Sequence, residues 1–205
     1  MAALDLGFVP GEGGRDLEAI FEGAGKGEIE IVYLLGADEI DMSRLGNAFV
    51  VYQGHHGDAG AHRADVILPG AAYTEKPGIY VNTEGRVQLA NRAVFPKGEA
   101  REDWAILRAL SDKLGHTLPY DTLNALRKKL IDDHPTFGQV DYAPGSMPAK
   151  LDLAKLGKKG KIADTAFASP IKDFYQTNPI ARASVTMAEC SALAASLKSA
   201  PVAAE

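Results

Sequence analysis

The chain has 205 residues, 46% hydrophobic and 24% charged, enough to build one or two buried cores. With 22 Lys and Arg against 27 Asp and Glu, the net charge of -5 argues against a nucleic-acid partner, which needs a cationic face. No apolar run approaches the roughly 20 residues that cross a bilayer as a helix, and the lone Cys190 rules out both disulfides within the chain and thiolate-held iron-sulfur clusters.

Residues 1–14, MAALDLGFVPGEGG, are punctuated by Gly and Pro and read as an irregular lead-in. They show neither a secretory nor an organelle address, so a reducing compartment is expected. Asp16 is placed to cap a helix whose Leu17, Ile20, Phe21 and Ala24 share one face, stopped by Gly23-Ala24-Gly25-Lys26-Gly27. These glycines follow a helix and open a strand, the reverse of a phosphate loop, and are read as a helix stop. Ile29 to Leu35 is the strongest predicted strand, continuously apolar and therefore expected at the centre of a parallel sheet. Gly36 to Asp41 follows its carboxyl end, where ligands sit in open α/β sheets. The acids there suit a ribose hydroxyl or the cap of a short helix at Met42 to Leu45, and the cap is favoured.

Phe49 to Gln53 is the next strand, and the loop Gly54 to His62 after it holds His55, His56, Asp58 and His62. These are weak metal candidates: adjacent histidines turn poorly to one ion, and the glycines leave the geometry unfixed, so a plain surface loop is favoured. Val66-Ile67-Leu68 is a third strand, ended by Pro69-Gly70. Ile79 to Asn82 and Gly85 to Leu89 form a hairpin through Thr83-Glu84-Gly85. Arg101 to Leu114 is a helix with Trp104, Leu107, Leu110 and Leu114 along one stripe, Glu102 and Asp103 in the first turn, and Gly115 as its stop. Trp104 is expected to be a packing anchor.

Asp121 to Asp133 is a further helix, ended by Pro135. From Thr136 to Ala168 the period fades into a linker whose basic run, Lys155 to Lys161, either docks an acidic neighbour or is simply solvated. Ser169-Pro170 and Asn178-Pro179 each set a capping side chain before a Pro suited to the first helical position, the second opening a helix to about Lys198. Ile180, Met187 and Ala194 recur at seven, flanked by small residues. Phe174, Tyr175, Ile180, Arg182 and Met187 are the candidate partner-binding residues, with folding back onto the chain's own core as the equal alternative. The expected fold class is α/β: a small doubly wound, mostly parallel sheet with a β-hairpin over residues 1–115, a helix and irregular linker over 116–168, and a helical C-terminal tail over 169–205.

Ala64 to Pro69, ADVILP, followed by Glu75 and by Gly78 to Gln88, GIYVNTEGRVQ, resembles the ADVxLP, E, GxxxNxEGRxQ pattern of the molybdopterin oxidoreductase superfamily. Ser169 to Cys190, SPIKDFYQTNPIARASVTMAEC, is similar to the C-terminal segment of the large iron-sulfur subunit of proton-pumping NADH:quinone oxidoreductase, complex I. The resemblance implies a fragment from the C-terminal part of such a subunit, with a degenerate molybdopterin-type domain that holds no cofactor or redox centre. It places the iron-sulfur clusters in an N-terminal part outside this chain. The implied partners are other peripheral-arm subunits and the rest of its own subunit, without membrane insertion, on the cytoplasmic face of a bacterial inner membrane or the matrix side in an organelle. No catalytic residue set is recognisable in this stretch.

The alternative is a domain that still binds a molybdopterin guanine dinucleotide, as in formate dehydrogenase-like enzymes. Thr74, Glu75, Asn82, Glu84 and Arg86 then face the cofactor, since they occupy the matching family positions. Against it, Gly54 to Ala61 offers little for a pyrophosphate. Arg86 has a simpler reading as a hairpin residue paired with Glu84 or Glu75, worth under about 1 kcal/mol. A free-standing nucleotide module is disfavoured for want of a glycine loop in strand-to-helix order.

Overall fold

The computed structural model describes residues 1–142, 157, 159–162 and 164–199. The chain divides into two units, Met1–Ala143 and Pro144–Glu205. In the first, a helical turn α1 (Ala2–Asp5) interrupts the expected irregular lead-in. Helix α2 (Leu17–Gly25) starts as its sequence dictates, with the Asp16 carboxylate accepting from Ala19 N at 2.9 Å. It ends in a Schellman turn: Glu28 N donates to Gly23 O at 2.8 Å and Gly27 N to Ala24 O at 3.1 Å, with Gly27 at φ +74°. The glycine run is therefore a helix stop.

Strands β1 (Ile31–Leu35), β2 (Phe49–Gly54) and β3 (Val66–Pro69) form a parallel sheet in the order β1-β2-β3. A 3-10 turn at Met42–Leu45 links the first pair, and helix α3 (Ala59–Arg63) links the second. Gly46 ends the 3-10 turn at φ +54°, where a Cβ would lie 2.8 Å from Ala24 O, so only glycine fits this approach of the turn to α2. The core lies on one face of the sheet, where Val32, Leu34, Val50 and Tyr52 pack with Phe21, Leu45 and Ala48. One expectation is corrected: among the described strands β1 is at the edge and β2 is central. A continuous apolar run shows that both faces of a strand are apolar. It does not show that neighbours flank it on both sides, and here the buried polar Gln53 marks the middle strand better.

Strands β4 (Gly78–Val81) and β5 (Val87–Ala90) pair antiparallel as the expected hairpin. Helix α4 (Asp103–Lys113) stops at Gly115, φ +76°, but Leu114 is its cap and is exposed, off the apolar stripe assigned to it. Helix α5 (Leu123–Asp133) is capped by Thr122, whose hydroxyl accepts from Ala125 N at 3.1 Å. The α/β class is borne out, with a parallel sheet, a hairpin and a helical C-terminal segment.

In the second unit, the single helix expected from Asn178 is two: α6 (Pro179–Arg182) and α7 (Val185–Ser199). Asn178 caps the first through Ala181 N at 2.9 Å, but the Ser184 hydroxyl accepts from Met187 N at 3.3 Å and starts a new helix. The seven-residue repeat is thereby split between helices. Ser169-Pro170 opens no helix, because the Ser169 hydroxyl turns back onto Ile171, accepting from its N at 3.2 Å. Lys155 and Lys158 of the basic run Lys155 to Lys161, and much of the linker, lie outside the described residues.

Candidate functional site

Loops from the carboxyl ends of β1, β2 and β3 converge with the start of α4, and their polar side chains form two networks. In the first, Asp38 is buried, accepting from the Tyr52 hydroxyl at 2.8 Å and from Gly60 N at 3.0 Å. This carboxylate locks the loop after β1 to the first turn of α3 across the end of β2. Its neighbour Asp41 has the capping role expected of this loop, accepting from Ser43 N at 3.1 Å and Ser43 Oγ at 2.6 Å, which holds its carboxyl below the usual range.

The second network crosses the other face. The Tyr33 hydroxyl donates to Gln53 Oε1, Gln53 Nε2 donates to Asp103 Oδ1 at 2.7 Å, and Lys76 Nζ pairs with Asp103 Oδ2. Burial and the adjacent Asp103 raise the Tyr33 pKa. Asp103 reaches this position because the chain ahead of α4 returns beside the end of β3: Arg101 N donates to Pro69 O at 3.0 Å and Ala71 N to Arg101 O at 2.8 Å. Trp104, next along α4, is half-buried and donates to Glu102 at 2.7 Å. Tyr33, Tyr52, Gln53 and Lys76 are not singled out by the sequence motifs, whereas Asp38 lies in the Gly36 to Asp41 loop read as a place for a ligand or a cap, and Asp103 reads only as a first-turn acid. A further signal is Gln53, an amide closing an otherwise apolar strand.

A crevice of about 440 Å³ opens beside these networks, lined among others by Tyr52, His55, His56, Ile67, Glu75 and Lys97. The ring nitrogens His55 Nδ1 and His56 Nδ1 are 2.6 Å apart, so one donates and the other accepts. Burial, then the positive fields of His56 and Lys76, hold the His55 pKa below its ordinary value. Asp58 instead caps α3, accepting from Ala59 N at 2.9 Å, and His62 sits in the last turn of that helix. Among the described residues no group of three or more His, Cys, Asp or Glu could hold a metal ion.

Of the residues at molybdopterin-family positions, Glu75, Asn82, Glu84 and Arg86 bond to the backbone or to one another through their side chains. Glu75 accepts from Ala72 N at 3.0 Å, and the Thr74 carbonyl accepts from Ala93 and Val94. Asn82 Oδ1 accepts from Glu84 N and Arg86 N, shaping the hairpin turn with Gly85 at φ +84°. Arg86 donates to Glu84 Oε1 at 2.8 Å and to the Asp141 carbonyl at 2.6 Å. Four of these five residues, Glu75, Asn82, Glu84 and Arg86, thus engage side-chain groups in hydrogen bonds within the chain.

Sheet, hairpin and converging loops define an α/β unit of the molybdopterin-enzyme kind. Residues 1–113 match the molybdopterin oxidoreductase family, and the chain belongs to it. Residues 141–190 match the family described as the C-terminal part of the G subunit of NADH-ubiquinone oxidoreductase. Among similar proteins, the mitochondrial NADH dehydrogenase [ubiquinone] iron-sulfur protein 1 of Solanum tuberosum is 45% identical over 195 residues, 94% of this chain and 25% of that protein. The mitochondrial NADH-ubiquinone oxidoreductase 78 kDa subunit of Candida albicans is 46% identical over 199 residues, 93% of this chain and 26% of its own length. The G subunit of the NADH-quinone oxidoreductase of Rickettsia bellii is 45% identical over 163 residues, 80% of this chain and 23% of that protein. The chain thus spans about a quarter of the length of these relatives. Acetylene hydratase from Pelobacter acetylenicus shares the fold at a TM-score of 0.52 and 21% identity, over 62% of this chain and 20% of that one.

Proposed function

We propose that this chain is a packing and docking segment of the large peripheral-arm subunit of a proton-pumping NADH:quinone oxidoreductase, with a molybdopterin-type domain that carries no redox centre. The observation that carries this reading is the mutual pairing of polar groups at the sheet's carboxyl edge. Asp38, Tyr52, Gln53, Lys76 and Asp103 hold one another, and Arg86 holds the backbone at Asp141, where a cofactor domain would aim such groups at a ligand. The sole Cys190 cannot ligate a cluster, so the iron-sulfur clusters of the subunit lie in the part of its length that this chain does not span. Electrons pass from NADH to quinone through those parts, and this segment holds neighbours in place.

Its partners are the rest of its own subunit and adjoining peripheral-arm subunits. In the second unit Phe174, Tyr175 and Ile180 are exposed, while Met187 is half-buried and Arg182 donates to the Gln176 carbonyl at 3.2 Å, fixing the loop that presents the aromatics. No helix among the described residues is long and apolar enough to cross a membrane. The reading gives the segment a peripheral place on the cytoplasmic face of a bacterial membrane, or on the matrix side in an organelle, by analogy with its mitochondrial and bacterial relatives. The test is to purify the assembled oxidoreductase containing this segment and assay it for molybdenum, tungsten and pterin fluorescence. We expect none in stoichiometric amount, and loss of assembly when the chain is truncated before Ser169. A stoichiometric pterin would overturn the reading in favour of a cofactor-binding domain.

A further inference from the structure

The face of the sheet opposite the core is apolar and largely open. Parallel register aligns Ile31 with Phe49, Tyr33 with Val51 and Val66, and Leu35 with Gln53 and Leu68. None of these eight side chains is charged, and the polar tips of Tyr33 and Gln53 are already engaged with each other and with Asp103. Ile31 is 66% exposed, Leu35 53%, Phe49 47% and Val66 40%. Three of these four, Ile31, Phe49 and Val66, are the first residues of their strands. At the opposite end Gln53 is fully buried beside Asp103 in the first turn of α4. The opening thus lies over the amino-terminal half of the sheet and along β1, which no further described strand flanks.

We propose that this face is an interface within the subunit, covered by the apolar side of one or more amphipathic helices from polypeptide outside these 205 residues. The inference rests on the function proposed above and adds to it where the remainder of the subunit sits. Three observations select this occupant. Parallel sheets are stable with both faces covered, and helices supply that cover because parallel strands are joined through crossovers. The face has no charge with which to orient a charged peptide or a phosphate. The relatives carry about three quarters of their length outside the matched region, ample chain to supply the helices.

Hydroxyl-radical footprinting of the 205-residue chain, and of the full-length subunit in its oxidoreductase, tests this directly. Ile31, Leu35 and Phe49 should be strongly oxidised in the first and protected in the second, with exposed Leu114 as reference. In the full-length subunit Leu35→Glu should reduce assembly by about tenfold or more, since it sets an unpaired carboxylate in an apolar interface, and Leu114→Glu should not. Equal oxidation of these residues in both settings, or normal assembly of Leu35→Glu, overturns the proposal. So does protection in the 205-residue chain that appears only with a concentration-dependent dimer, because the face then seats a second copy. If the three residues are protected in the longer protein but that protein does not associate with NADH:quinone activity, the interface stands and the proposed function fails.

Discussion

The two faces of the three-stranded sheet come from the same short strands read alternately, and they fare differently. On one, Val32, Leu34, Val50 and Tyr52 lie under α2 and the 3-10 turn, and the chain closes its own core. On the other, Ile31, Leu35, Phe49 and Val66 are as apolar but face outward. Strand composition shows that both faces were meant to be dry, whereas the elements present within the chain decide which one is. An apolar run in a strand is therefore evidence of two required covers, only one of which the described residues provide.

Two adjacent leucines of β1 should separate the faces most widely. Leu34→Ala removes a side chain only 4% exposed and should cost about 2–5 kcal/mol by leaving a cavity. Leu35→Ala removes one already in solvent and should change stability by less than about 0.5 kcal/mol. Urea denaturation of the chain followed by circular dichroism reads both. Equal losses would mean that the second face is covered by something in the chain itself.

Next in size is Asp38, the polar pin of the covered face. Asp38→Ala removes the buried acceptor of Gly60 N and the shorter of the Tyr52 hydroxyl's contacts, leaving the latter the His56 carbonyl at 3.4 Å, and should cost about 1–3 kcal/mol. Asp38→Asn retains an acceptor oxygen and should recover part of that loss. If the Ala variant is neutral in the same denaturation measurement, water replaces the carboxylate and the network does not hold the loops.

Much of this fold could be read from the residues, because its signals are local. Asp16 and Asn178 announced their helices by capping chemistry, Gly27 and Gly115 their ends by left-handed turns, and Thr83 to Gly85 the hairpin, while the Thr122 cap was not singled out. The carboxyl-edge networks could not be read this way. Gln53 and Asp103 are 50 positions apart, and only the return of Arg101 beside β3 brings them together. The same limit hid the edge position of β1, which depends on strand order, and the break between α6 and α7, where a single Ser184 hydroxyl outweighed a seven-residue apolar repeat.

Outside the sheet, Arg86 offers a local contact to set against the two faces. Its guanidinium joins the hairpin turn to the Asp141 carbonyl, and Asp141 sits at φ +64°, an uncommon conformation for a residue with a side chain. Asp141 N in turn donates to Val87 O at 2.7 Å. Arg86→Ala should cost about 1 kcal/mol and mainly speed hydrogen exchange at Asp141, with amides of β2 unchanged. No change at Asp141 would return Arg86 to the simple surface pair with Glu84.

The smallest effect concerns pH, at the end of the sheet where Lys76 and Asp103 close the otherwise open face. Burial, His56 and Lys76 lower the His55 pKa in the folded chain below the 6.5 of an unfolded one, outweighing the pull of Asp38 and Asp103. The unfolded state therefore binds the proton more readily, and the sign of linkage follows. The stabilising contribution is complete above about pH 6.5, and it is lost as pH falls through the lower folded value. A doubly protonated pair also loses the Nδ1 to Nδ1 contact, since neither nitrogen can accept. The urea midpoint of the native chain should thus drop on going from neutral to mildly acid pH, and His55→Gln should flatten that drop while leaving the neutral-pH value close to native. An unchanged slope in His55→Gln would place the sensitivity on other groups.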